Sequence, residues 1–299
     1  MATRHCQILL IAFVMAMLFS NVSASFQAPP SGPPLYVAER NGAKVYILGI
    51  ASPSGSKWLT PTIKSALMES KELWQEDPTE QAFNQTVWDE LGYRKHGTLF
   101  DDLSPEMASR VRRTAHIYGV KEEELARQRP WFSAFTLVRA WLAKAGKMFG
   151  QTENPEGVIS ELATKTHIPV HSEMTSDDFP KLLSALTEKT QLQYLSYELD
   201  YIERGTNGSN QCDEGWAVGQ IDECAQNLEQ MRTHYPDLYM ALNVVRNGEW
   251  VERIEKMLSE GGVHFIDVGI NHTLGPDSIQ VQLKRHEIQI RRIPESGRS

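Results

Sequence analysis

Two glycine-led tetrapeptides set the chemistry this chain can attempt. Gly49-Ile50-Ala51-Ser52 closes an apolar run near the start, and Gly269-Ile270-Asn271-His272 closes another near the end. Each places a polar side chain three residues beyond a glycine, the residue that lets a chain bend sharply as it leaves a sheet. Two further apolar runs end in acids, at Glu76 and Glu173. One imidazole and two carboxylates are donor types of a zinc-class site, where three protein ligands suffice for catalysis. His272, Glu76 and Glu173 are therefore candidate ligands for one divalent transition metal, with metal-bound water as the nucleophile. Glu76, Arg246 and His272 are the candidate catalytic groups, the Arg246 guanidinium stabilising developing negative charge. Ser52, Gly49, Gly269 and Asn271 complete the expected cleft, and Asp267 either orients the His272 ring from behind or faces the sheet edge. A plainer reading fits the same residues: His272 caps the loop before Gly275-Pro276, and the glutamates face solvent or pair with Arg246.

Other chemistries have less support. Ser52 as a nucleophile with His272 as its base would need a third orienting group, and the sequence identifies none. The stretch from Gly49 to Lys57 resembles a phosphate loop after a strand, but its lysine is misplaced and Pro61 delays the helix. Neither a Gly-x-Ser-x-Gly elbow nor a His-Glu-x-x-His helix occurs, which removes local support for the common serine hydrolase and zincin arrangements.

The elements that must carry these residues follow from pattern. Leu35 to Glu39 and Lys44 to Ile50 are predicted strands joined by Asn41-Gly42, a strong hairpin signal. Pro61 opens a predicted helix through Lys71, and Glu72 to Glu76 is a predicted strand. Residues Thr79 to Gly150 read mainly as helix, with starts at Ser104-Pro105-Glu106 and at Pro130. Glu156 to Thr166 is a predicted helix and Ile168 to Glu173 a strand. Phe179 to Leu258 is helical with breaks near Gly205 and Pro236, and Gly261-Gly262 stops it. Val263 to Gly269 and Glu287 to Ile293 are the closing strands. The expected fold is α/β with α+β character: a central mixed sheet built from N- and C-terminal strands, with a large helical insertion. In such sheets sites form at the carboxyl ends of strands, so Ser52 and His272 should lie together there, with Glu76 in the same cleft.

These segments together resemble the TraB/GumN/PrgY family, to which the Tiki-type extracellular proteases are related. The strand Lys44 to Ile50, the acid-ended Trp74 to Asp77, the helix start Arg129-Pro130-Trp131 and the strand Ile168 to Glu173 are similar to the family's pattern in order and spacing. So are Arg246-Asn247 with Trp250, and Gly261-Gly262 through His272-Thr273-Leu274-Gly275-Pro276. The resemblance implies a metal-dependent hydrolase or protease acting on a peptide-like substrate, resting on two Gly-x-x-His motifs and a glutamate. Here the second motif is intact in His272, whereas Ser52 stands where the first would have histidine. A hydroxyl is a poor transition-metal ligand beside imidazole, so the alternative is a non-catalytic binding protein that keeps the fold and takes a peptide, glycan or small molecule.

Composition frames both readings. The first residues carry one charge at Arg4, an apolar run from Ile8 to Phe19 and then Val22-Ser23-Ala24, the pattern of a cleaved secretory signal. The run is shorter than the roughly 20 residues a membrane span needs. The expected organisation is a signal peptide over 1–24, a proline-rich tether over 25–34 and a single domain over 35–295, secreted or periplasmic, with no stable membrane span after cleavage. Cleavage would remove Arg4 alone among the charges and move the formal net charge from -8 to -9. Such an acidic balance argues against nucleic acid as the main partner. Of the 3 cysteines, Cys212 and Cys224 would survive, and an oxidising compartment lets them pair. Twelve residues along one continuous helix span about 18 Å, too far for a disulfide. Cys212 is therefore expected in a loop beginning at Gly205, folded back on a helix that carries Cys224; two free or metal-binding thiols are the alternative.

Overall fold

The computed structural model describes residues 32–51, 58–76, 84–144, 154–206 and 211–295. Ser52, the segment expected to be an export signal and residues 25–31 of the proline-rich stretch lie outside the described residues. The strands are β1 (Leu35–Arg40), β2 (Ala43–Ile50), β3 (Leu73–Gln75), β4 (Val170–Ser172), β5 (Val263–Gly269) and β6 (Gln289–Arg292). They form one mixed sheet in the order β4-β3-β5-β2-β1-β6. The fold is α/β, with strands from both ends of the described chain meeting at the centre of that sheet.

Local sequence explains the pairing. Asn41 and Gly42 take φ of 52° and 85°, the positive values that a two-residue hairpin turn requires, and they set Arg40 opposite Ala43. The β2 run Val45-Tyr46-Ile47-Leu48 is buried along its whole length, as a strand covered on both faces must be. Its parallel neighbour β5 places Gly269 opposite Ile50. On the other side of β5, β3 and then β4 continue in parallel, while β6 closes the far edge antiparallel to β1. The carboxyl ends of β2, β5, β3 and β4 therefore open in one direction.

The helices follow from capping and punctuation. They are α1 (Pro61–Met68), α2 (Gln85–Gly92), α3 (Pro105–Tyr118), α4 (Glu122–Ala126), α5 (Pro130–Lys144), α6 (Pro155–Lys165) and α7 (Asp178–Ala185). Then come α8 (Glu188–Thr206), α9 (Gln211–Trp216), α10 (Asp222–His234), α11 (Pro236–Tyr239), α12 (Arg246–Glu260) and α13 (Ile279–Arg285). Thr60 and Ser104 accept hydrogen bonds from the first turns of α1 and α3, with proline at the next position, where its missing N–H costs nothing. Helix α1 stops at Met68, short of the expected Lys71, and β4 is confined to Val170–Ser172.

Alternation along the strands splits the core into two layers. Leu35, Val37, Tyr46, Leu48, Leu73 and Phe265 point into the helical insertion. Ala38, Val45, Ile47, Ile266 and Val268 pack on Trp250, Val251, Ile254 and Met257 of α12 and on Ile279 and Leu283 of α13. Trp216 fastens the insertion to the sheet by donating from Nε1 to the Gly49 carbonyl at 2.6 Å.

The two cysteines are bonded, with 4.8 Å between their Cα atoms. The expected loop placement of Cys212 is corrected: it sits on the short helix α9. The chain reverses between α9 and α10 at Gly219, whose φ is 81°, and this brings positions twelve apart together without a long loop. Reduction of the bridge should lower stability by about 3 kcal/mol, from the freed unfolded chain. Urea unfolding with and without reductant measures it, and equal midpoints would mean that the bridge constrains nothing.

Candidate active site at the carboxyl ends of the strands

Glu76 follows β3 directly and turns its carboxylate across the end of β5, where Gly269 N donates to Oε2 at 2.7 Å. A Cβ on Gly269 would come within 3.2 Å of that oxygen, so glycine is what lets the carboxylate reach the backbone. At the equivalent turn of β2, a Cβ on Gly49 would lie 2.5 Å from Thr273 Oγ1. The two motif glycines thus serve close approach as well as bending.

His272 lies on the tight turn Ile270–Thr273 that follows β5 and is 4 % exposed. Asn247 Nδ2 donates to the Asp277 carbonyl at 2.8 Å, which turns its Oδ1 toward the imidazole. His272 Nδ1 lies 2.6 Å from that oxygen and so carries the proton it donates. This leaves Nε2 facing Glu76 Oε1 at 3.3 Å. Two lone pairs cannot share that edge comfortably: it needs a proton on Nε2 or another positive charge.

Arg246, 5 % exposed at the start of α12, supplies the main cation. Its Nη1 donates to Glu76 Oε1, and its Nη2 to Glu173 Oε2 at 2.5 Å. Burial alone would raise the Glu76 pKa, but His272, Arg246 and the Gly269 N–H outweigh it and hold the carboxyl well below its usual range. Glu173 behaves oppositely: burial raises it, neighbouring Glu76 adds to that, and Arg246 offsets only part. Burial works against the Arg246 charge, yet the two carboxylates push its pKa up.

The structure therefore brings together Glu76, Glu173, Arg246 and His272, with Gly269 and Asn271 beside them; Gly49 lies behind Thr273. Of the plainer reading, the pairing of both glutamates with Arg246 is what is found. Asp267 does not orient the ring; it accepts from Gln75 Nε2 at 3.0 Å on the neighbouring strand, and Asn247 takes the orienting place. For a metal, the described donors reach one edge, His272 Nε2 with Glu76 Oε1. Glu173 is drawn onto Arg246, and no group of three or more His, Cys, Asp or Glu among the described residues has metal-holding geometry. The described set does not complete a three-ligand site.

Above this floor is a cleft of about 360 Å³. Its far wall is α8, which presents Tyr194, Tyr197, Glu198 and Tyr201; Phe179, Met231, Leu242 and Asn243 complete it. Asn243 belongs to a π-helical turn, Met240–Val245, between α11 and α12. One extra residue in a turn rotates the succeeding helix by about 100°. Among the described residues, Asn243 Oδ1 and Arg246 Nε have no hydrogen-bond partner. Sequence reasoning assigned no role to Asn247, Asn243 or the α8 wall. The available signal was the spacing of Tyr194, Tyr197, Glu198 and Tyr201, which puts three phenols and a carboxylate on one helix face.

A family model, described as the TraB/PrgY/gumN family, matches residues 34–292. No curated protein and no solved structure matches the chain.

Removing the shared cation tests the site's energetics. Arg246→Ala should cost about 3–5 kcal/mol at neutral pH by removing the guanidinium that both buried carboxylates share. The depressed Glu76 pKa contributes stability above its unfolded value, near 4.5, and that contribution is lost as pH falls. The raised Glu173 pKa has the opposite sign. Without Arg246, protonation of both carboxyls relieves the unpaired charge, so the gap between wild type and variant should shrink from pH 7 to pH 4. Urea unfolding at both pH values reads it; a gap that widens in acid would contradict the assignment.

Proposed function

Because the chain belongs to the TraB/PrgY/gumN family, we propose that it is an exported member whose cleft binds a peptide-like or small-molecule ligand without metal chemistry. One observation carries this reading: a resident guanidinium already lies between the two carboxylates that would otherwise hold an ion. Glu76 has both oxygens engaged, by Arg246 and His272 on one side and by Gly269 on the other. Its role is then to brace Arg246, which lines the cleft. The tyrosine, methionine, phenylalanine and leucine walls supply the apolar contact typical of ligand pockets.

A second reading, a divergent metal-dependent hydrolase, is favoured by the 3.3 Å edge between His272 Nε2 and Glu76 Oε1. When bound, a divalent ion would be held by His272 and Glu76 with Glu173 as the third donor, and would supply activated water. Export rests on the N-terminal sequence pattern in either case. The Cys212–Cys224 bridge suits an oxidising compartment, and no helix among the described residues is long and apolar enough to cross a membrane.

Elemental analysis of the purified mature protein, repeated on His272→Ala, separates the readings. The binding reading expects well under one equivalent of metal in both. About one equivalent in wild type, lost in the variant, would sink it and favour the hydrolase, since such catalysis needs its ion bound. In parallel, N-acetyl-phenylalanine methylamide should shift amide resonances around the cleft, and Leu242→Trp, which fills it, should abolish those shifts.

A further inference from the structure

The wall formed by α8 carries an unused charge. Glu198 lines the cleft half-buried, with Tyr194, Tyr197 and Tyr201 on the same helix face. Tyr194 hydrogen-bonds to it, and no ion pair joins it to a cation among the described residues. Arg204, whose Nη1 donates to Gln230 at 2.8 Å, acts on it only through space. Across the same cavity Asn243, 3 % exposed, has its Oδ1 unpartnered, while its Nδ2 rests on the weak acceptor Met231 Sδ at 3.6 Å. Two acceptors therefore border one aromatic space, and one of them is a carboxylate.

We infer that the cleft selects ligands bearing a primary ammonium group, seated between Glu198 and Asn243 Oδ1 against the α8 tyrosines. The inference rests on the reading of the cleft as a ligand site. An ammonium offers three N–H donors on a compact charge, enough for both acceptors. Phenol rings add attraction for a cation at short range. The cleft floor does not compete for it, since Arg246 is already matched by Glu76 and Glu173. Burial pushes the Glu198 carboxyl up to about 7, against the pull of Tyr194 and Arg204, as expected of a buried carboxylate whose cationic partner arrives with the ligand. A neutral ligand of the same shape would bring no positive charge to Glu198 and fewer donors for it and Asn243 to share.

Benzylamine, benzyltrimethylammonium and benzyl alcohol share one ring and differ in charge and donors. Each is titrated into the mature wild-type protein, Glu198→Gln, Asn243→Ala and Leu242→Trp, with amide chemical shifts as the readout and thermal melts to establish folding. Benzylamine should bind about ten-fold or more tightly than benzyl alcohol, as a charge-assisted hydrogen bond implies. Glu198→Gln should remove that preference while benzyl alcohol still binds. Asn243→Ala should narrow the preference for benzylamine over its trimethylated analogue, which has no N–H to donate. Equal affinities for benzylamine and benzyl alcohol in wild type, both lost in Leu242→Trp, would overturn the ammonium inference and leave the ligand cleft standing. A preference that survives Glu198→Gln would also overturn it. If none of the three probes binds, or if binding persists in Leu242→Trp, the ligand-cleft reading falls with it.

Discussion

A single guanidinium organises the carboxyl end of this sheet. Glu76 comes from β3, Glu173 follows β4, His272 follows β5, and Arg246 reaches them from the first residue of α12. Two carboxylates this close cannot both stay charged in a buried place without a cation between them. Arg246 meets that requirement with a planar fork whose two ends each face one carboxylate, a geometry lysine does not offer. The consequence reaches the ring: Glu76, held by Arg246 and the Gly269 N–H, lies 3.3 Å from His272 Nε2, and Asn247 fixes the other face of the imidazole.

Other features read as accommodations to this arrangement. Glycine at 269 makes room for the Glu76 oxygen, and glycine at 49 for Thr273. The π turn from Met240 to Val245 sets the rotation at which α12 begins, so that Asn243 and Arg246 line the cleft while Asn247 turns to the ring and Trp250 into the sheet layer. Such turns are rare and concentrate at functional sites. The cleft above is built differently, from one face of α8, and its phenols and Glu198 belong to the insertion rather than to the sheet. Floor and wall thus come from separate parts of the chain.

Much of the frame was legible in sequence because strands and caps are local signals. Asn41-Gly42 marked the hairpin, Pro61, Pro105 and Pro130 marked helix starts, and Gly261 marked the end of α12. That Glu76 and His272 share a cleft could be expected from strand ends, since parallel strands open their carboxyl ends on one side; Arg246 arrives from a helix, α12, and strand ends do not announce it. What they do for one another could not. Whether Glu173 faces a metal or a guanidinium depends on the rotation of α12, which a π turn sets and no hydrophobic period reveals. Asp267 was a candidate partner for the ring, but its strand face turns it to Gln75 on β3, and Asn247, to which the sequence assigned no role, takes that place. Cys212 was misplaced because a six-residue helix, Gln211–Trp216, is too short for periodicity to separate from loop.

The central claim is that Arg246 and Glu76 act as a coupled buried pair rather than as two independent polar groups. A double-mutant cycle with Arg246→Met, Glu76→Gln and the combined variant, each unfolded in urea at pH 7, measures that coupling directly. The account predicts that the double variant is less destabilised than the sum of the singles by about 2–3 kcal/mol, because Arg246→Met alone leaves Glu76 and Glu173 both without their shared cation, whereas with Glu76→Gln added only Glu173 is left so. Additive losses, with coupling within about 0.5 kcal/mol of zero, would contradict it.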